Sequence, residues 1–527
     1  VHGFMARDNT RQRLAPIAFS GVPEEGRFLL AGAAGLAQLE VKLHQHEDAE
    51  AFHAEYARAD PDFIDLYSQA DDAAAVILDR LGRRAPAHPR IDEPAFGLQF
   101  VLENAIPLAN GLFASGWFHD PDSRIETVVA VDHVLLETEV SAAWKVFDGR
   151  AEFGGKLRPI KRFAAFLPGK RSAVSSRPIP LSVRLRNSED HLVTAQSIPM
   201  DLVSCREAIL GAIAGYSFTD EMLVDVFAPA LAPIQEALNA RQNVRHVKQF
   251  GQRSARSVSL VIPLYKETGF IRSQVMAFAV DPYVRQQCEI VYVLDDPLID
   301  GTVASLIEGL AISFPLDLKL VTLDRNGGYA LANNMGSGQS EGDVLVLMNS
   351  DVIPDRPGWI EPVLDRLKTL PPFSVIGPKL IYADDSLQHA GMYFYRLSTG
   401  YWQNFHYWKG YARHFIAADR ERVVPAVTGA CMIVRKADYL AVGGFTTDYI
   451  VGDYEDSDLC LKLRERAGVP LYMPSAELYH FERQSMALEQ DELDFGSTVY
   501  NRALHSFRWR ECITALMSAA EKVTYVV

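Results

Sequence analysis

The sequence predicts an α/β protein built on a mostly parallel, doubly wound sheet, preceded by a β-sandwich and a mainly helical N-terminal region. Three observations carry this. After residue 256 short apolar runs alternate with helical patterns. Between 96 and 203 brief alternating runs are separated by Gly, Pro, Asn and Asp clusters. Before 96 acidic, Ala-rich helical patterns sit among Pro and Gly breaks.

Taken in order, 1–95 is a mainly helical region, resting on 47–59 (EDAEAFHAEYARA) and 71–82 (DDAAAVILDRLG). Residues 96–203 contain FGLQFVL, SRIETVVAV, HVLLETEV, PLSVRLR and HLVTAQSI, the texture of an antiparallel sandwich. Residues 204–255 read as a helical linker with a polar, basic tail. Strands are expected at 257–264, 289–294, 317–323 and 343–348. The first, second and fourth are near-continuous apolar runs, as strands covered on both faces require. The catalytic region is bounded at 256–490, and 491–527 reads as a C-terminal helical extension with basic residues.

The chain has 527 residues, 52 Lys+Arg against 67 Asp+Glu and a formal charge of −15. That balance argues against a nucleic-acid binder working by phosphate neutralisation. A polyanionic ligand would need a local device, such as a metal ion or a helix N-terminus. No run approaches the length of a membrane span. Five scattered cysteines, without a C-x-x-C pair, suit a reducing, cytoplasmic compartment. The start at Val1, without a signal-peptide pattern, suggests an excised part of a longer parent.

In open α/β sheets ligands bind beyond the carboxyl ends of the strands. The first strand ends in Pro263-Leu264-Tyr265-Lys266-Glu267, the second in Asp295-Asp296-Pro297. The third ends in Asp324-Arg325-Asn326-Gly327-Gly328 and the fourth in Asn349-Ser350-Asp351. Carboxylates and amides therefore recur where a nucleotide would lie. Neither a G-x-G-x-x-G nor a P-loop motif is present, which disfavours dinucleotide and P-loop enzymes.

VSLVIPLYKE, VYVLDDP, DRNGGYALANNMG, VLVLMNSDV, TGACMIVRK, GGF, YEDSDLCLKLRERAG and ELYHFERQS follow one another in residues 256–485. In that order they resemble the GT-A domain of family-two glycosyltransferases, inverting enzymes that use nucleotide sugars. The bacterial type with an accessory β-sandwich is the nearer likeness, through 111–122 (GLFASGWFHDPD).

The resemblance implies a divalent metal, Mn²⁺ or Mg²⁺, and a nucleoside-diphosphate sugar as donor. A hard cation held by carboxylates and phosphate oxygens neutralises a departing diphosphate. Asp351 resembles the last acid of the family's Asp-x-Asp metal motif, whose first position is here Asn349. His480 matches a late histidine that supplies a second ligand. Inverting transfer needs a carboxylate to take the acceptor's proton. By resemblance that base is Asp456, with Glu455 and Asp458 shaping the site. These acids would also stabilise a helix N-terminus whatever their function. Pro263, Tyr265, Glu267 and Asp295 are carried over to the nucleoside pocket. Arg325, Asn326 and Gly328 would lie where backbone approaches the donor, although Gly327-Gly328 suits a tight turn equally. Gly429-Ala430 would admit the sugar or acceptor.

The dense aromatics at 392–415 suit either an acceptor groove or the core of an insertion. The expected function is transfer of a sugar to a saccharide acceptor, lipid-linked or not, in cell-surface polysaccharide synthesis. No nucleic-acid partner and no transmembrane segment are expected; peripheral contact at the inner membrane face fits the basic terminal helix. The rivals are a non-catalytic nucleotide-sugar or glycan binder on a degenerate GT-A fold and a nucleotidyltransferase.

Overall fold

The computed structural model describes most of 90–213 and 218–524, leaving out 94–96, 132–136, 154, 170–178, 188, 196–198, 200, 267 and 482–492. Before residue 90 it describes only the backbone of four strands. The chain divides into two compact units, Val1–Ile198 and Pro199–Val527.

In the first unit His2–Arg7, Leu14–Phe19, Gly26–Gly32 and Gly35–His44 form an antiparallel sheet. This corrects the helical expectation for the first half of 1–95. Leu39, Val41 and Leu43 alternate with Gln38, Glu40 and Lys42, a period of two rather than of 3.6. The helical patterns at 47–59 and 71–82 lie outside the described residues. A five-stranded sheet (Lys145–Phe153, Lys156–Pro168, Gly111–His119, Leu98–Leu108, Arg90–Glu93) and a four-stranded one (Asp190–Val193, Leu181–Leu185, Ile125–Val131, Glu137–Glu139) follow. Phe100, Leu102 and Phe163 from the first share one buried core with Val128, Leu181 and Val183 from the second. Two antiparallel sheets sharing one apolar core make a sandwich.

The second unit is organised on a sheet ordered Val244–Gly251, Asp317–Leu323, Cys288–Leu294, Val258–Leu264, Val344–Met348, Cys431–Arg435, Val375–Ile381, Pro470–His480, Val352–Pro354. The four strands from Asp317–Leu323 to Val344–Met348 are parallel. Cys431–Arg435 then enters antiparallel, and Val375–Ile381 pairs parallel with Pro470–His480. The result is a mixed sheet with a parallel centre, as expected for this region. Val258, Leu260, Ile262 and Ile290 pack on one face against Val275 and Phe278. Val261, Val291 and Val293 pack on the other with Ala330 and Ala332. Burial on both faces explains their unbroken apolar character.

The expected linker is part of this unit. Its helices Leu202–Gly211 and Ala228–Ala240 are present, but Val244–Gly251 is a strand paired antiparallel with Asp317–Leu323. It has one neighbour, and its Arg245 and Lys248 suit a sheet edge, where charge discourages further pairing. A 32-residue helix, Leu493–Thr524, closes the chain. Cys205, Cys288, Cys431 and Cys460 are buried free thiols.

Candidate active site

The short strand Val352–Pro354 pairs antiparallel with the end of Pro470–His480, opposing Val352 to His480. That register brings Asp351 beside His480, with Oδ1 and Nε2 3.3 Å apart. Asp351 is 8% exposed and His480 5%. Adjacent ligands about 2.1 Å from an octahedral cation stand about 3 Å apart. The carboxylate oxygen and imidazole nitrogen therefore fit neighbouring positions on one divalent ion. His480 Nδ1 and Asn349 Oδ1 are buried without hydrogen-bond partners. The Asn349 backbone is fixed: its N–H donates to Ala430 O (3.0 Å) and its carbonyl accepts from Gln274 Nε2 (3.1 Å). Among the described residues a separate group, His414, Asp419 and Glu477, has three potential ligand side chains. Lys379 Nζ bonds to both Asp419 and Glu477, so an ammonium already supplies the positive charge there.

Asp456 lies in the first turn of helix Glu455–Glu465. Val451, Asp453 and Tyr454, just before that helix, have φ of +69°, +74° and +75°. Non-glycine residues rarely adopt this left-handed backbone, and such strain gathers at functional sites. Asp456 Oδ2 accepts from Gly429 N–H (2.9 Å) and Oδ1 from Ser457 N–H (2.6 Å). Burial pushes its carboxyl up to about 6 against the pull of these two donors. Glu455 is buried with Oε2 unpartnered; burial, then the Asp456 charge, push it well above the usual carboxylate range. Of the two neighbouring acids, Asp456 is thus the easier to ionise.

Asp458 has a different task. It accepts from Trp509 Nε1 (2.8 Å) and Tyr449 OH (2.9 Å), with Arg508 at 3.3 Å and the Thr446 hydroxyl also bonded. Desolvation opposes its charge, but Lys462 and these donors together hold the carboxyl below its ordinary range. Replacing Asp458 by Ala strands a buried indole N–H, a phenol and part of a guanidinium. We expect a loss of about 3 to 5 kcal/mol, read as a lower urea midpoint. An unchanged midpoint would deny Asp458 this structural role.

Asp295 is buried, and its two oxygens accept from Gly327 N–H and Gly328 N–H, both at 2.8 Å. Burial pushes it up to about 7 against those donors. The carboxyl expected at the nucleobase is thus also the clamp of the Asn326–Gly328 turn. Asn326 Oδ1 accepts from Gly328 N–H (3.0 Å), and Gln242 Nε2 donates to Arg325 O (2.7 Å). Gly328 has φ +82°, and a Cβ there would stand 2.9 Å from Val451 O, so glycine is required. Pro263 is the penultimate residue of strand Val258–Leu264, Tyr265 is exposed just beyond it, and Arg325 is exposed beside Asp324. Glu267 lies outside the described residues.

One segment joins these parts. Gly429 N–H holds Asp456, Gly429 O accepts from Tyr329 OH (2.6 Å), and Ala430 O accepts from Asn349 N–H. Tyr329 immediately follows the turn clamped by Asp295. A Cβ on Gly429 would stand 3.2 Å from Asp456 Cβ, so glycine permits the close approach. Tyr329 and Gln274 were not among the expected site residues; adjacency to Gly327-Gly328 is the only signal for Tyr329 in the sequence. Asn334, also near that motif, bonds to Phe445 and Tyr439 and fixes the Gly443-Gly444-Phe445 turn.

The aromatic segment divides between its two expectations. Phe394 and Trp402 are buried in a core that includes Trp509. Tyr395 and Phe405 are exposed, and Tyr393 stacks on Phe405 with centroids 5.9 Å apart.

Comparison with known proteins follows this geometry. Residues 259–440 match the model of Glycosyl transferase family 2. A Sinorhizobium fredii protein is 32% identical over 161 residues, 31% of this chain and 18% of that protein. An N-acetylglucosaminyl-diphospho-decaprenol L-rhamnosyltransferase of Mycobacterium tuberculosis is 26% identical over 214 residues, 37% of this chain and 67% of the enzyme. A Pyrobaculum calidifontis mannosyltransferase, solved with GDP-Man and Mn²⁺, superposes with TM-score 0.33 at 15% identity, covering 56% of this chain and 91% of that one. The segment 259–440 is thus similar to glycosyltransferases of family 2. It spans under a fifth of the Sinorhizobium relative's length. Among the described residues no helix is long and apolar enough to cross a membrane.

Proposed function

We propose that this chain is an inverting glycosyltransferase. It moves a sugar from a nucleoside diphosphate to a saccharide or lipid-linked saccharide acceptor in cell-surface polysaccharide synthesis. The observation that carries the reading is the hydrogen-bonded link from Asp456 through Gly429-Ala430 to Asn349, beside the Asp351–His480 pair. A partly exposed carboxylate and the residue two places before Asp351 are thus tied by hydrogen bonds to one segment, Gly429-Ala430.

Asp351 and His480 would hold the divalent ion, Mn²⁺ or Mg²⁺. When bound, it supplies positive charge to the diphosphate leaving group. Asp295 fixes the Gly327-Gly328 turn on the donor side. Asp456 takes the acceptor hydroxyl's proton as that oxygen attacks the anomeric carbon, and Gly429 N–H keeps the carboxylate aimed. Glu455, whose carboxyl burial and the Asp456 charge push upward, disfavours a second negative charge beside the base. The relatives' lipid-linked and nucleotide-sugar chemistry supports the substrate class.

A base whose carboxyl sits near 6 must be ionised to act. Turnover should therefore rise as pH increases through about 6 and level off above it. A rate independent of pH between 5 and 8 would contradict the assignment. The donor is identified by thermal shift with uridine, guanosine and thymidine diphosphate sugars, with and without Mn²⁺, since bound ligand raises the midpoint by mass action. Mn²⁺-dependent stabilisation by one nucleobase, followed by transfer, is expected. Stabilisation without turnover would favour the binding-protein alternative.

A further inference from the structure

Helix Leu493–Thr524 presents Asn501, His505 and Arg508–Trp509 at successive turns to the start of the helix that carries Asp456. Asn501 is fully buried. Its Oδ1 accepts from Ile450 N–H (2.9 Å), and its Nδ2 donates to Ile450 O (2.9 Å) and Gly452 O (2.6 Å). These bonds bracket Val451, the first of the three left-handed residues before Glu455. The Val451 carbonyl in turn accepts from Tyr329 N–H at 3.4 Å. One turn further along, His505 Nε2 lies 3.1 Å from Ser457 Oγ, the residue after Asp456. Burial pushes His505 down to about 3, so it packs as neutral imidazole.

Left-handed non-glycine residues persist only where their surroundings hold them. We infer that Asn501 is a positioning residue: it holds the Val451–Tyr454 turn that delivers Asp456 to the site. This makes the C-terminal helix part of the catalytic apparatus rather than an appended tail. The kinetic part of the inference rests on the proposed transferase reading; the clamp itself rests on the three hydrogen bonds.

The test compares the full chain with its Asn501→Ala variant by hydrogen exchange and by kinetics. Amides of 449–458 should exchange at least about tenfold faster in the variant while Val258–Leu264 is unchanged, because opening there becomes local. With the donor that supports turnover, kcat should fall on the order of 10- to 100-fold with donor KM nearly unchanged, the signature of a misplaced group. Unchanged exchange at 449–458, or a wild-type kcat, overturns the inference. So does exchange raised equally across the whole unit. Should Asn501→Ala fail to fold, Asn501→Asp keeps the acceptor for Ile450 N–H and loses both donations. It should then exchange faster in the same segment. If no donor supports turnover in the wild type, the transferase reading fails, and exchange alone decides the clamp.

Discussion

Asp456→Asn should abolish transfer while leaving binding of the nucleoside diphosphate with Mn²⁺ essentially unchanged. A positioned general base contributes about 10²- to 10⁴-fold, which sets the expected loss in kcat. The substitution keeps the size of the side chain, but its single amide oxygen can accept from only one of Gly429 N–H and Ser457 N–H, and it cannot take a proton. Stability separates this role from a structural one. Because burial raises the Asp456 carboxyl to about 6, its favourable contribution to folding is complete below its unfolded value and is lost as pH rises through about 6. At pH 7 loss of this unfavourable charge should offset the one backbone hydrogen bond that Asn cannot make, so the variant's thermal midpoint should stay close to that of wild type. Near-normal turnover would remove Asp456 from the mechanism. A large fall in midpoint would assign it to the fold instead.

Asp351→Ala should lower the Mn²⁺-supported affinity for nucleoside diphosphate to its metal-free level. Two protein ligands hold the proposed ion, and the variant leaves only the His480 imidazole, a weaker partner for a hard cation. Even changes outside the ligand set cost about 10- to 100-fold in metal affinity, so at least that loss is expected. His480→Ala should act in the same direction. Calorimetric titration of the diphosphate with and without Mn²⁺ measures both. Binding that does not respond to Mn²⁺ in the wild type would refute the metal assignment. Equal binding by wild type and Asp351→Ala in Mn²⁺ would refute the ligand.

The parts of the fold legible in the sequence are those whose signal is local. The four parallel strands fall within a residue of their expected bounds, three of them because burial on both faces leaves near-continuous apolar runs. Asp351, His480 and Asp456 stand out because each closes a strand or opens a helix within a motif. What brings Asp351 to His480 is not local: the pairing of Val352 with His480 joins residues more than a hundred positions apart. Val244–Gly251 reads as a polar linker because an edge strand with exposed charges lacks an apolar run. The backbone strands before residue 45 were hidden for another reason, the prominence of neighbouring Ala-rich helical patterns. Asn501, His505 and Trp509 carry no motif; their meaning comes from the docking of a helix onto the turn before Asp456, the proposed base. Asp295 is visible in the sequence as a carboxylate at a strand end, yet its hold on Gly327 and Gly328 depends on two neighbouring strand ends meeting in the sheet.

The central claim joins one cation-binding pair and one base in a single displacement at the anomeric carbon. Proton NMR of the sugar first released or transferred from the nucleotide sugar, with Mn²⁺ present and before mutarotation, tests it most directly. The account predicts the anomer inverted relative to the donor, formed by the wild type and not by Asp456→Asn. A product of retained configuration, or equal formation by the variant, would contradict it.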